Sequence, residues 1–279
     1  MVSLRFPFLF SHPQPPKFPR PFSAFAVAAT ATAGATAAVV ALSSSDRPHL
    51  SDALSSFFSR DPSLPLWGSL SLADNGVHVL HSKTGASFPS ALDSSLKLCG
   101  IGVRRKCILG LKNIDVYAYG VYADDDDMRR YLSEKYGKLS ASELKGNKEL
   151  TEDLIENDIS MTIRLQIVYG KLSIRSVRSA FEESVGSRLQ QFGGSDNKEL
   201  LQRFTSQFKD EFKIPRGSII HLSREKGHVL RTTIDGQEVG SIRSKLLCKS
   251  ILDLYIGEEP FDKQAKEDIE FNVASYLQS

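Results

Sequence analysis

Two arginines and two tyrosines define the chemistry this sequence can do. Arg104 and Arg105 lie in the run from Leu98 to Gly110, and Tyr117 and Tyr119 lie in the run from Lys112 to Asp124. Both runs are rich in β-branched and aromatic residues and meet across Gly110, Leu111 and Lys112, so they read as a β-hairpin. A guanidinium beside phenol hydroxyls on one sheet face can hold a carboxylate. The register decides which arginine takes that place. A turn of two or four residues sets Arg104 opposite Tyr117, a turn of three sets Arg105 there, and opposite residues share a face. The pattern permits both. It also permits arginines that merely lie along a sheet surface beside ordinary strand-forming tyrosines.

Other chemistries lack their residues. No nucleophile elbow, Walker loop, dinucleotide fingerprint or H-E-x-x-H helix occurs. The histidines have no metal-type spacing; His78 and His81 stand three apart on a strand and point to opposite faces. Cys99, Cys107 and Cys248 are odd in number and lack C-x-x-C spacing, which argues against a disulfide scaffold or a zinc site. The acidic run Asp124 to Asp127 reads as a helix N-terminus rather than a divalent metal site. A formal net charge of +2 gives no field that would select nucleic acid. No metal or cofactor is expected.

The elements around the hairpin follow from periodicity. Gly76 to His81 alternates and reads as a strand at a sheet edge, and Ile159 to Val168 alternates most clearly, with one core face and one face toward water or a helix. The acidic run starts a helix with Met128, Tyr131 and Leu132 inward, and Lys138 to Glu156 reads as a charged surface excursion. A long amphipathic helix carries Ile174, Val177, Phe181, Val185, Leu189 and Phe192. Ser195 or Asp196 is expected to cap a helix with Leu200, Leu201, Phe204, Phe208 and Phe212 inward. Strands follow at Ser218 to Leu222 and Val229 to Ile234, with a hairpin turn at Asp235–Gly236. Helices are expected over Ile242 to Tyr255 and Asp262 to Leu277. The sum is an α+β fold: an antiparallel β-sheet of about six or seven strands packed against a layer of α-helices.

Residues 1–75 do not read as domain material. Met1 to Leu42 has no Asp or Glu, carries Arg5, Lys17 and Arg20, and ends in an Ala/Thr/Val run from Ala24. This composition reads as a plastid transit peptide, ahead of a mitochondrial or secretory one. Ala and Thr contribute little transfer energy, so the run is not expected to insert stably in a membrane. Ser43 to Asn75 reads as a flexible spacer, and 76–279 as the folded domain, expected to be monomeric.

Several motifs together resemble the chalcone isomerase family: Phe88-Pro89, Leu98-x-Gly-x-Gly-Val-Arg104, Tyr117-Ala-Tyr-Gly-Val-Tyr122, Phe212-x-x-Pro-x-Gly-Ser-Ile219 and Gly240-Ser-Ile-Arg-Ser-Lys-Leu-Leu247. The resemblance spans about Val77 to Ser279 and implies an antiparallel sheet with a helix layer. The family's enzymes add a phenolate to a chalcone to close a flavanone ring. Their arginine falls on Arg104, which implies the two- or four-residue turn. Their threonine falls on Tyr117, their asparagine on Ser184 and their tyrosine on Val177. Valine donates nothing, and losing a preorganised donor costs on the order of 10²–10³ in rate. The resemblance therefore points to the family's non-catalytic plastid branch of fatty-acid-binding proteins. Arg104, Tyr117 and Ser184 would hold the fatty acid carboxylate, and Val177, Phe181 and Val185 would border the acyl chain. The chloroplast stroma is the expected location. The competing readings are an isomerase-like lyase acting on a flavonoid, and a helper that binds a pathway enzyme without a ligand of its own.

Overall fold

The alternation read in Ile159 to Val168 becomes the centre of a six-stranded antiparallel sheet. The structure is a computed structural model that describes residues 70–71, 77–108 and 112–278. The expected transit peptide and most of the spacer lie outside the described residues. Three short strands come first, β1 (Leu70–Ser71), β2 (His78–Leu80) and β3 (Ser87–Pro89). The large sheet then runs β4 (Leu96–Ile108), β5 (Lys112–Asp124), β6 (Met161–Ile167), β7 (Ile219–Glu225), β8 (Val229–Ile234) and β9 (Gln237–Arg243), paired in chain order. Between and after these strands lie α1 (Asp125–Tyr136), α2 (Ala141–Leu144), α3 (Lys148–Glu156), α4 (Ile174–Gly193), α5 (Lys198–Thr205), α6 (Lys245–Ile256) and α7 (Lys263–Gln278). The fold is α+β, as the patterning implies.

Several local expectations are corrected. The Gly76–His81 strand is no edge of the large sheet. As β2 it sits in the middle of a separate three-stranded sheet on the large sheet's back face. There Phe88 packs with Leu98, Ala118 and Tyr122, and the Tyr122 hydroxyl donates to the Pro89 carbonyl at 2.9 Å. So β6 is buried on both faces rather than one. Its Arg164 is only 9% exposed, donating Nη1 to the Ser87 carbonyl at 3.1 Å and lying over the Phe88 ring at 5.2 Å.

β9 ends on Ile242 and Arg243, the two residues expected to begin a helix. Asp235 and Gly236 both have positive φ (48° and 83°), the geometry of a two-residue hairpin turn that sends the chain straight back beside β8. The helix starts later, where the Ser244 hydroxyl accepts from Leu247 N at 3.1 Å. Asn197, rather than Ser195 or Asp196, precedes α5, and α5 stops at Thr205. Phe208 is buried beyond its end, 5.1 Å from the Phe181 ring centroid. In α1 the inward positions are Met128, Leu132 and Tyr136, while Tyr131 is 38% exposed.

The acidic run caps α1, as expected: Asp124 accepts from Asp127 N at 2.9 Å. The charged excursion buries more than expected. Leu150, Leu154 and Ile155 of α3 are in the core, and the buried Arg224 donates to the carbonyls of Leu154 (2.8 Å), Ile155 (2.6 Å) and Ile159 (2.7 Å). A guanidinium with all three nitrogens matched in this way closes the C-terminal end of α3.

α7 lies along the otherwise open edge of β4. The Asn272 amide donates to the Cys99 carbonyl (2.9 Å), the Tyr276 hydroxyl donates to the Leu98 carbonyl (3.0 Å), and Val103 N donates to the Asp262 carboxylate (3.3 Å). These bonds satisfy strand groups that would otherwise invite edge pairing. The approach needs glycine: a Cβ on Gly102 would lie 2.6 Å from Ala265 Cβ and 2.6 Å from the Tyr119 hydroxyl. Gly102→Ala is expected to destabilise the protein by about 1–3 kcal/mol, a fall in Tm of roughly 2–12 °C. An unchanged melting curve would show that α7 can back away from the strand.

A pH effect follows from the back face. His221 stands opposite Arg164, and burial, then Arg164 and Arg231, bring its pKa down to about 4 from 6.5. Between those values the unfolded chain binds more protons than the folded one, so stability falls as pH falls from 6.5 through 4. Denaturant titrations at pH 7 and pH 4.5 are expected to show this loss, and His221→Gln to lessen it. An equal loss in the variant would remove His221 as a cause.

Candidate functional site

β4 and β5 meet with Arg104 opposite Tyr117, but by a different route from the one expected. The last pair is Ile108 with Lys112, so three residues join the strands, not two or four. A bulge restores the register: Arg104 pairs with Tyr117 and Arg105 with Asp115, leaving Val116 extra. The Val116 carbonyl accepts from both Val168 N and Tyr169 N at 3.1 Å. β6 pairs with β5 only over Tyr117 to Ala123, so the hairpin beyond the bulge stands clear of the sheet. It forms one wall of a cavity of about 710 Å³, and α4 forms the other. That volume lies inside the range of about 300–1,000 Å³ that suits small organic ligands.

Val116, Leu172, Val177, Phe181 and Leu254 give the cavity apolar walls. Val177 and Phe181 line it as expected. Val185 does not; it is fully buried in the core instead. The reason is helical pitch. Eight residues rotate Val185 by about 80° from Val177, whereas eleven bring Arg188 back to within about 20°. Arg188 does line the cavity, but it is ion-paired with Asp253 and donates Nη2 to the Glu259 carbonyl at 2.9 Å.

One end is polar. The Arg104 guanidinium lies 3.8 Å from the centroid of the Phe261 ring, and among the described residues no carboxylate pairs with it. Phe261 precedes α7 and is tied back by its N–H, which donates to the Leu254 carbonyl at 2.9 Å. Tyr117 is 8% exposed and its hydroxyl lies 3.3 Å from that of Tyr255. Tyr255 is wholly buried, edge-on to Tyr119 (4.9 Å) and to Phe261 (5.4 Å). Burial pushes the Tyr117 phenol up to about 12 and those of Tyr119 and Tyr255 well above their ordinary value, so all three keep their protons.

The four residues that opened the sequence reading therefore separate. Arg104 and Tyr117 meet at the cavity. Arg105 pairs with Asp115 at 3.1 Å on the rim, and Tyr119 is buried beneath Gly102, outside the lining. Ser184 lines the cavity, but its hydroxyl donates to the Ala180 carbonyl one turn back at 2.7 Å. As a third donor it would first have to leave that bond. Tyr255 and Phe261 escaped the sequence reading. One sits on the apolar face of a helix and the other in a loop, and neither spacing marks them.

The arrangement offers an unpaired cation and a neutral phenol at one end of an apolar cleft. It offers no nucleophile–base pair, and among the described residues no cluster of three metal-type ligands occurs. The cysteines are free thiols, with Cys99 and Cys248 buried and Cys107 exposed on the cavity rim. Among the described residues no helix is long and apolar enough to cross a membrane.

The family model described as chalcone isomerase like matches residues 94–270. The chain is 58% identical to fatty-acid-binding protein 1 of Arabidopsis thaliana, across 99% of this chain and 98% of that protein. It is 32% identical to chalcone isomerase-like protein 1 of Humulus lupulus, across 70% of this chain and 90% of the relative. A crystal structure of the Arabidopsis thaliana fatty-acid binding protein superposes with a TM-score of 0.69 at 62% identity, covering 72% of this chain and 100% of that one. The chain belongs to the chalcone isomerase-like family.

Proposed function

We propose that this protein binds free fatty acids without transforming them, holding the carboxylate with Arg104 and Tyr117 and the acyl chain in the apolar cleft. The observation that carries this reading is the unpaired Arg104 guanidinium at the end of that cleft. A carboxylate there gains charge-assisted bonds to both groups. Each buried methylene adds about 0.8 kcal/mol, so a medium or long chain outweighs the cost of association. The relatives named fatty-acid-binding proteins support the ligand class.

An isomerase needs donors over the ketone and the attacking oxygen. At the positions matched to the enzymes' tyrosine and asparagine, Val177 presents only methyl groups and Ser184 is bonded to its own helix. We therefore place the protein among binders rather than enzymes. The acid-free N-terminus supports import into a plastid and a working place in the stroma, with residues 1–75 as transit peptide and spacer.

Mass spectrometry of lipid extracted from gently purified protein is expected to find fatty acids. Arg104→Ala is expected to weaken dodecanoate or oleate binding by about 10–100-fold, the worth of a charged hydrogen-bonding partner. Affinity unchanged in that variant would refute the carboxylate clamp. Turnover of chalcone above the solution rate would return the protein to the enzymes.

Phe261→Leu keeps the apolar volume but removes the aromatic face under Arg104. It is expected to weaken the same binding by about two- to fivefold, in line with roughly 0.5–1 kcal/mol for a partly exposed cation–π contact. Isothermal titration calorimetry reads both variants, and an unchanged Phe261→Leu isotherm would reduce Phe261 to packing.

A further inference from the structure

Tyr255 is a buried phenol beside the ligand cavity that lines no part of it. Its hydroxyl has one hydrogen-bond partner among the described residues, the Tyr117 hydroxyl at 3.3 Å. A phenol has one proton to donate and lone pairs with which to accept. If Tyr117 donated to Tyr255, the Tyr255 proton would be stranded in an apolar setting, a costly state for a buried donor. If Tyr255 donates to Tyr117, both are satisfied, and the Tyr117 proton is left to turn into the cavity that Tyr117 lines. Burial keeps both phenols protonated, and a guanidinium has donors only. Arg104 and Tyr117 then both present donors to the cavity they line. Such an end suits an ionised carboxylate. An alcohol or a neutral ester brings no charge for the Arg104 guanidinium to pair.

We propose that Tyr255 is a positioning residue which, by donating to Tyr117, fixes the Tyr117 hydroxyl as a donor into the cavity and so makes this end selective for ionised carboxylates over alcohols and esters of the same chain. The inference rests on the fatty-acid reading and goes beyond it, because it assigns the selectivity to a residue that cannot touch the ligand.

The test measures binding of dodecanoate, dodecanol and methyl dodecanoate to the full chain and to Tyr255→Phe, Tyr117→Phe and the double variant. Phenylalanine keeps the ring in each case, and equal melting curves check the packing. The Tyr255→Phe change is expected to weaken dodecanoate by about 3–10-fold while leaving dodecanol and the ester within about twofold. In the Tyr117→Phe background the same change is expected to cost nothing, because Tyr255 acts only through Tyr117. The inference is overturned if dodecanoate is held as tightly by Tyr255→Phe as by the parent, if all three ligands weaken together, or if the two substitutions add. Parent protein that binds dodecanoate no better than dodecanol overturns it too, and Arg104→Ala then tells whether the clamp itself has failed. Parent protein that binds none of the three defeats the fatty-acid reading and this inference with it.

Discussion

A charge kept available is the constraint on which the cavity between the hairpin and α4 depends. A guanidinium beside an apolar cleft readily recruits a carboxylate from its own chain, and then a ligand must displace that partner. Several arginines of this protein do so: Arg105 pairs with Asp115, Arg175 and Arg178 with Asp210, and Arg188 with Asp253. Arg104 is treated differently. It is set on an aromatic face, which attracts a cation without neutralising it. The acid next to that ring, Asp262, is engaged by backbone N–H groups: Val103 at 3.3 Å, Gln264 at 3.2 Å and Ala265 at 3.4 Å. Its charge closes the start of α7 and anchors β4.

Much of this fold could be read from spacing, because the relevant signals were local. The alternation in β6, the three-and-four spacing in α4 and the Asp235–Gly236 turn each predict their element without help from the rest of the chain. The misses have one character: a distant partner overrode a local pattern. Gln237 to Arg243 has a polar, glycine-containing strand sequence, and only pairing to β8 makes it β9. The Lys138–Glu156 excursion looks solvated because its charges outnumber its leucines, yet Arg224, some seventy residues on, ties its end into the core.

The site divides in the same way. Arg104 and Tyr117 could be found because residue type and strand pairing both point to them, although the bulge at Val116 could not be. Two departures, one from the expected turn length and one in the strand, cancelled to give the expected pair. Val185 shows the limit of reading a helix stripe as a single wall. The stripe is wide enough to serve both the cavity and the core, and only the packing of α5 and α6 against α4 decides where one ends. Tyr255 and Phe261 were invisible because an aromatic on a helix face or in a loop is ordinary core material until its neighbours are known.

The Gly-x-Gly-Val-Arg segment of β4 links fold and site more closely than a list of conserved-looking letters would suggest. Gly100 and Gly102 let α7 close on the strand, since side chains there would meet Ile269 and Ala265. Val103 gives its N–H to Asp262, which fixes where α7 begins. That fixes Phe261, one residue earlier, beneath Arg104, one residue later. The same five residues therefore protect the sheet edge, start the last helix and seat the Arg104 guanidinium. A chain that exchanged the donors on α4 for Val177 and a self-bonded Ser184 would lose the means to guide ring closure. It would keep the seat of Arg104 on Phe261, because that seat is held by the fold's own edge rather than by the helix that changed.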